Sequence, residues 1–337
     1  MASTAQSLDS ESVSLLAKYI SPEIASYFIA GGCAGAASRT VVSPLERLKI
    51  IQQVQPRGGN QYKGVFSSLA RMYQEEGLRG FMRGNGINCI RIVPYSAVQF
   101  TTYEQLKKFF TYNGTRELDT PTRLLSGALA GITSVSATYP LDLVRARLSI
   151  ATASIPVTNA KPVPTKVAGK LQAAYHTAAG AYTAHELTIV GMTQKIMREE
   201  GGIRALYRGI VATATGVAPY VGINFAAYEV LRGIITPPGQ TSIPRKLLCG
   251  ALAGSISQTL TYPFDVLRRK MQVTGMKSSG LGIQYTGAID ALKGIVRHEG
   301  VSGLYRGLWP NLLKVAPSIA TSFFTYELVK DFLLPPH

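Results

Sequence analysis

Pro44-Leu45-Glu46-Arg47-Leu48-Lys49, Pro140-Leu141-Asp142-Leu143-Val144-Arg145 and Pro263-Phe264-Asp265-Val266-Leu267-Arg268 are three copies of one pattern. In each, an acid stands two residues after the proline and a base five residues after it. Working outward, glycines precede each proline by thirteen and nine residues: Gly31 and Gly35, Gly127 and Gly131, Gly250 and Gly254. Downstream comes an Arg-Gly pair: Arg83-Gly84, Arg208-Gly209 and Arg306-Gly307. Ten residues past each of these glycines is a proline, Pro94, Pro219 or Pro317. Nineteen past it is Tyr-Glu: Tyr103-Glu104, Tyr228-Glu229, Tyr326-Glu327. A base closes each set, Lys107, Arg232 or Lys330. Self-similarity at fixed offsets marks a repeat architecture. The repeats run over 24–116, 117–238 and 239–337, behind a polar segment 1–23. Repeat two is longer by a stretch near 151–190, rich in Ala, Thr, Pro and Lys, which reads as a plain loop insertion on the surface.

Six segments have apolar, helical character: 24–53, 87–110, 122–149, 211–233, 244–273 and 309–333. Each reaches the roughly 20 residues that span a bilayer. Proline and charge interrupt all six, and ionisable groups within a membrane normally face protein or a wet cavity. The glycine pairs are small faces for close helix packing. Only 16% of the chain is charged, against about 25% in soluble domains. The net charge is +16, and the three segments 57–83, 146–208 and 269–306 hold a surplus of twelve of it. Such loops face the more negative compartment, with both termini on the other side. Charge spread over three membrane-flanking loops also argues against nucleic acid. Cys33, Cys89 and Cys249 lie in separate apolar segments without metal-ligand spacing, so neither a disulfide nor a metal site is expected. The first 22 residues read as neither a signal peptide nor an Arg-rich transit peptide, and hold no EF-hand loop.

The threefold Pro-x-acid-x-x-base pattern, over residues 24 to 333, resembles the signature of the mitochondrial carrier family. The resemblance implies an all-α membrane protein with six transmembrane helices in three pseudo-symmetric repeats. It implies alternating access to one cavity, in a multi-pass protein of the mitochondrial inner membrane, with a peroxisomal membrane as the alternative. It implies a matrix-side gate pairing Glu46 with Arg145, Asp142 with Arg268 and Asp265 with Lys49. Gln53 and Gln272 resemble glutamine braces beneath that ring, and Ser149 stands where repeat two would carry a third. A missing brace implies a weaker matrix gate. A second, cytoplasmic ring would pair Lys107 with Glu229, Arg232 with Glu327 and Lys330 with Glu104. A monomer and an anionic lipid neighbour such as cardiolipin are expected, and no cofactor.

A gate can be symmetric, whereas a substrate is not, so positions where the repeats differ are the best site candidates. Five residues before the prolines sit Arg39, Val135 and Gln258, and seven past the Arg-Gly glycines sit Arg91, Gly216 and Lys314. Arg39, Arg91 and Lys314 thus stand at mid-helix depth with no acid at a repeat-related position. Cations there are costly until an anion neutralises them, and arginine offers bidentate contacts to phosphate or sulfate. Gly216-Val217 leaves a flat slot, flanked by Tyr95, Gln99, Tyr220 and Asn224 as stacking or base-reading groups. Within the family, an Arg, Gly-aliphatic, Lys set resembles the carriers of nucleotide-type anions. Residues 83–100, Ala137–Asp142 and Val301–Arg306 are similar to fungal carriers of adenosine phosphosulfate and phosphoadenosine phosphosulfate. The expected function is exchange of such adenine-containing anions, with sulfate or phosphate as lesser substrates. Coenzyme A exchange and ATP-Mg/phosphate exchange are the alternatives within transport, and a membrane scaffold the alternative outside it. No HExxH, P-loop or paired CxxC supports an enzyme.

Overall fold

The computed structural model describes residues 22–55, 62, 64–111, 119–151, 185–235, 243–274, 285 and 287–333. The polar segment before residue 22 and most of the insertion, 152–184, lie outside the described residues. The described residues are helical. The long helices are α1 (Pro22–Val54), α3 (Asn85–Phe110), α4 (Thr120–Ile150), α6 (Ile210–Ile235) and α7 (Ile243–Val273), with a sixth span built from α9 (Leu308–Leu313) and α10 (Val315–Leu333). Between them stand three shorter helices, α2 (Phe66–Phe81), α5 (Ile189–Glu199) and α8 (Ala288–Glu299). At about 1.5 Å per residue, even the 26-residue α3 and α6 outreach a hydrocarbon core of roughly 30 Å.

Pro44, Pro94, Pro140, Pro219 and Pro263 all lie inside their helices. A proline there removes one backbone bond and bends the helix without ending it when neighbours re-satisfy the freed groups. Repeat three differs: the span breaks at Lys314, which separates α9 from α10. Pro310 and Pro317 sit on either side of that break. The outer faces are apolar and open, with Phe100, Phe109, Val230, Ile234 and Leu260 exposed. Large side chains in that number suit a lipid surface better than water.

The chain forms two compact units. One comprises residues 1–42 with 316–337, the other residues 43–315. In the first, Ser38 Oγ on α1 donates to the Ser318 carbonyl on α10 at 2.9 Å. In the second, α3 packs on α4, α6 on α7, and α4 touches both α6 and α7. There Ile50, Val54, Ile150 and Val273 form one buried cluster, so the C-terminal ends of α1, α4 and α7 converge.

The basic joining segments, expected as loops, contain the three short helices. Their apolar residues recur at helical spacing on one face: Met72 in α2, Met192 and Ile196 in α5, and Ala291 and Ile295 in α8 are buried. A search for long apolar runs passes over such mixed segments. Each short helix gives way at a Glu-Gly pair, Glu76-Gly77, Glu200-Gly201 and Glu299-Gly300, whose glycines hold φ of +63°, +105° and +73°. Only glycine takes such angles at little cost.

Candidate functional site

The convergence of α1, α4 and α7 brings together the charges that follow each helix proline. Arg268 Nη2 lies 2.6 Å from Asp142 Oδ2, and Lys49 Nζ lies 3.0 Å from Asp265 Oδ2. Arg145 is in contact with Glu46. These are the three acid–base pairs anticipated for one ring. Glu46 and Asp142 are buried to 6% and 2% of side-chain exposure, so the pairs work in a low dielectric.

Supporting groups differ from joint to joint. Gln272 Nε2 donates to Asp142 Oδ2 at 2.9 Å, as a brace should. Gln53 instead donates to the Tyr262 hydroxyl at 3.0 Å, and that hydroxyl donates to the Arg306 carbonyl. Ser149 Oγ turns back on its own helix to the Arg145 carbonyl. The brace is missing from that position as expected, and α3 supplies another amide: Asn88 Nδ2 donates to Glu46 Oε2 at 3.2 Å, onto the oxygen that Arg145 holds. Two rings also stack under bases, Tyr139 beneath Arg268 and Tyr262 beneath Lys49, at 5.6 and 5.4 Å.

A second set of ion pairs, absent from the sequence reading, ties the odd helices to the short ones. Arg47 grips Glu76, Arg147 and Arg208 share Glu200, and Lys270 and Arg306 share Glu299. The same arginines reach the end of the next odd helix. Arg47 Nε donates to the Ser149 carbonyl at 3.1 Å, Arg147 Nε to that of Gln272 at 3.0 Å, and Arg306 to that of Gln55 at 2.7 Å. Each repeat is therefore stapled to its successor. The threefold Glu-Gly dipeptide was the available signal.

Beside the ring lies a cavity of about 270 Å³. Tyr95, Gln99, Gly216, Val217 and Tyr220 line it, as anticipated, together with Val135, Gln258, Phe264 and the ring residues Asp265 and Arg268. Asn224, half-buried on α6, is not among its lining. Arg39 sits half-buried on the part of α1 in the other unit.

Three expectations change. Arg91 and Lys314 were read as cations without acids, yet Arg91 Nη1 lies 3.3 Å from Asp142 Oδ1 and Lys314 Nζ 3.3 Å from Glu46 Oε1. Both long side chains reach the ring acids, a contact that repeat arithmetic does not encode. Gly216 does face the cavity, but a Cβ there would lie 2.9 Å from the Phe264 Cβ. The residue is small because α6 and α7 touch at that point, so space for a ligand is not its only reason. On the cytoplasmic ring, Lys107 Nζ lies 3.8 Å from Glu104 on its own helix, not on Glu229. Lys107, Glu229 and Arg232 are exposed.

Comparison with known proteins agrees with this architecture. Residues 21–114, 116–238 and 239–337 each match the pattern of the mitochondrial carrier protein family. The chain is 48% identical over 313 residues to the uncharacterized mitochondrial carrier YPR011C of Saccharomyces cerevisiae, covering 90% of this chain and 91% of that one. It is 42% identical over 340 residues to the mitochondrial adenine nucleotide transporter ADNT1 of Arabidopsis thaliana, covering 94% and 89%. It is 39% identical over 340 residues to the mitochondrial carrier protein CoAc1 of Zea mays, covering 99% and 94%. With three matched repeats, three ring pairs and this span of likeness, the chain belongs to the mitochondrial carrier family, as a multi-pass transporter of the inner membrane and not an enzyme.

Proposed function

We propose that this carrier exchanges adenine-containing phosphate or phosphosulfate anions by alternating access. The observation that carries the reading is the cavity floored by ring charges, with Arg91 beside it. The Arg91 guanidinium lies 5.7 Å from the Tyr95 ring centre, and Tyr95 and Tyr220 both line the cavity. Cations at the floor suit phosphate, and the tyrosines and Gln99 suit a base. The pair Gly216-Val217 forms part of the wall against which a flat ring would lie. Arg39 is proposed as a further phosphate-binding residue on the strength of its guanidinium. The names of two relatives, an adenine nucleotide transporter and a CoAc1 carrier, are in keeping with this substrate class. Adenosine phosphosulfate and phosphoadenosine phosphosulfate are the first substrates to test, with sulfate and phosphate as lesser ones. Coenzyme A is the alternative, and ATP-Mg/phosphate exchange a further one.

In this reading the paired ring of Glu46, Asp142, Asp265, Lys49, Arg145 and Arg268 is the closed matrix gate. Glu104, Lys107, Glu229, Arg232, Glu327 and Lys330 are the residues assigned to the cytoplasmic gate, and Lys107 and Glu229 among them are exposed. A bound anion would draw Arg91 and Lys314 off Asp142 and Glu46, which weakens the hold on two ring acids. Counter-exchange in liposomes tests the function. Purified protein is expected to exchange adenosine anions far faster than amino acids or dicarboxylates. Preference for a neutral amino acid or a dicarboxylate would overturn the reading.

A further inference from the structure

The ring acids are outnumbered. Glu46 touches Arg145 and Lys314, Asp265 touches Lys49, and Asp142 touches Arg91, Arg268 and Arg269. Among the described residues, these six bases against three acids leave a surplus of three positive charges around the ring in the unit 43–315. Lys49, Arg145 and Arg268 obey the threefold pattern, so the surplus consists of Arg91, Lys314 and Arg269. Arg269 has no basic counterpart, because Ile50 and Ala146 fill its place in the other repeats. It is 12% exposed, and its Nη1 is shared between Asp142 Oδ2 at 2.9 Å and Gln272 Oε1 at 2.7 Å.

Like charges gathered away from water repel one another strongly, and the ring acids are already shared. The surplus groups hold their acids less closely than the ring base does. Arg91 and Lys314 stand at 3.3 Å, against 2.6 Å for Arg268 on Asp142. A bound anion relieves the repulsion in proportion to the negative charge it brings, up to about the number in surplus.

We infer that this floor selects cargo by charge number, taking anions with three or more negative charges over those with two, and that Arg269 is one of the cations that contact the anion. The inference rests on the reading that the adjoining cavity receives an adenosine anion, and it narrows that reading. AMP, ADP and ATP carry from about two to about four negative charges near neutral pH. By the same count, phosphoadenosine phosphosulfate, with its extra phosphate monoester, is preferred to adenosine phosphosulfate.

The test measures competition by AMP, ADP and ATP for exchange in proteoliposomes. In parallel, the thermal stability of the purified protein is measured with phosphate, pyrophosphate and tripolyphosphate. Affinity is expected to rise roughly tenfold from AMP to ADP without falling back for ATP, the scale of one charge-assisted contact. Thermal shifts should rise along the inorganic series in the same order. Arg269→Gln should lower affinity for ADP and ATP more than for AMP. Equal affinity for all three nucleotides, or an equal fall for all three in Arg269→Gln, overturns the inference. If no adenine nucleotide competes but the inorganic series still climbs, the charge rule stands and the adenosine reading fails. A flat inorganic series and a flat nucleotide series overturn the charge rule even if Arg269→Gln does not fold.

Discussion

The two ends of α3 carry bases in opposite conditions. Near its start, Arg91, with Asn88 beside it, is drawn into the buried ring of odd-helix charges, each on a carboxylate oxygen. Near its end, Lys107 is exposed and rests on Glu104 one turn back at 3.8 Å, and Glu229 and Arg232 at the end of α6 are exposed as well. Both sets look alike as sequence patterns. The difference teaches that a repeated pattern of acid and base does not by itself fix a contact: the odd-helix pairs meet as the pattern implies, whereas Lys107 meets a neighbour on its own helix instead of Glu229. Solvent exposure then decides the energetic weight: a buried pair broken on one side costs several kcal/mol, whereas an exposed pair is worth about 1 kcal/mol or less.

Three substitutions would sharpen or break that contrast. The largest effect is expected for Glu46→Lys. It sets a third base beside Arg145 and Lys314, at a cost on the order of 3–5 kcal/mol, and should abolish measurable exchange. Pairing it with Arg145→Glu should recover part of the rate. Absence of recovery in a folded double variant would break the ring assignment. A middle effect is expected for Asn88→Leu, which removes an amide from Glu46 and should lower stability by about 1–2 kcal/mol. Adding Ser149→Gln, which supplies an amide at the position that braces Asp142 in repeat three, should restore part of that loss. If Ser149→Gln gives no recovery, Asn88 does not stand in for the third glutamine. The smallest is Lys107→Gln. Its melting temperature should move by no more than one or two degrees, the scale of an exposed pair in a chain of this size. A large fall in stability would mean that this end is also locked.

The sequence made some of this legible because three copies printed the same message. The odd-helix pairs Asp142–Arg268 and Asp265–Lys49 could be named because the repeated offsets carry the family resemblance, and the resemblance implies which acid meets which base. Arg91 on Asp142 and Lys314 on Glu46 could not, because they break that symmetry and depend on how far a side chain reaches. Gly216 was read for the space it leaves, while Phe264 of α7 lies against it, a contact from far along the chain. The short helix 189–199 was passed over because its mixed face lacks the apolar run of a membrane span. Arg269 fell outside the comparison for a simpler reason: it stands beside the signature base, one position past the offset compared across the repeats.

The base that grips the Glu-Gly acid stands seven residues after the proline in repeats two and three, as Arg147 and Lys270, but three after it in repeat one, as Arg47. The shift is one helical turn, so the side chain keeps its face and arginine's length covers the remainder. Copies that descend from one ancestral segment are natural partners for genetic recombination, and here that exchange is not neutral. A crossover between the third and seventh residues after the proline joins Arg47 to a second base in one product, and leaves the other with Leu143 and Ile51 at the two places and no base at all. One product would crowd a single carboxylate and the other would strand it, so the two placements of the base are not interchangeable piece by piece between repeats.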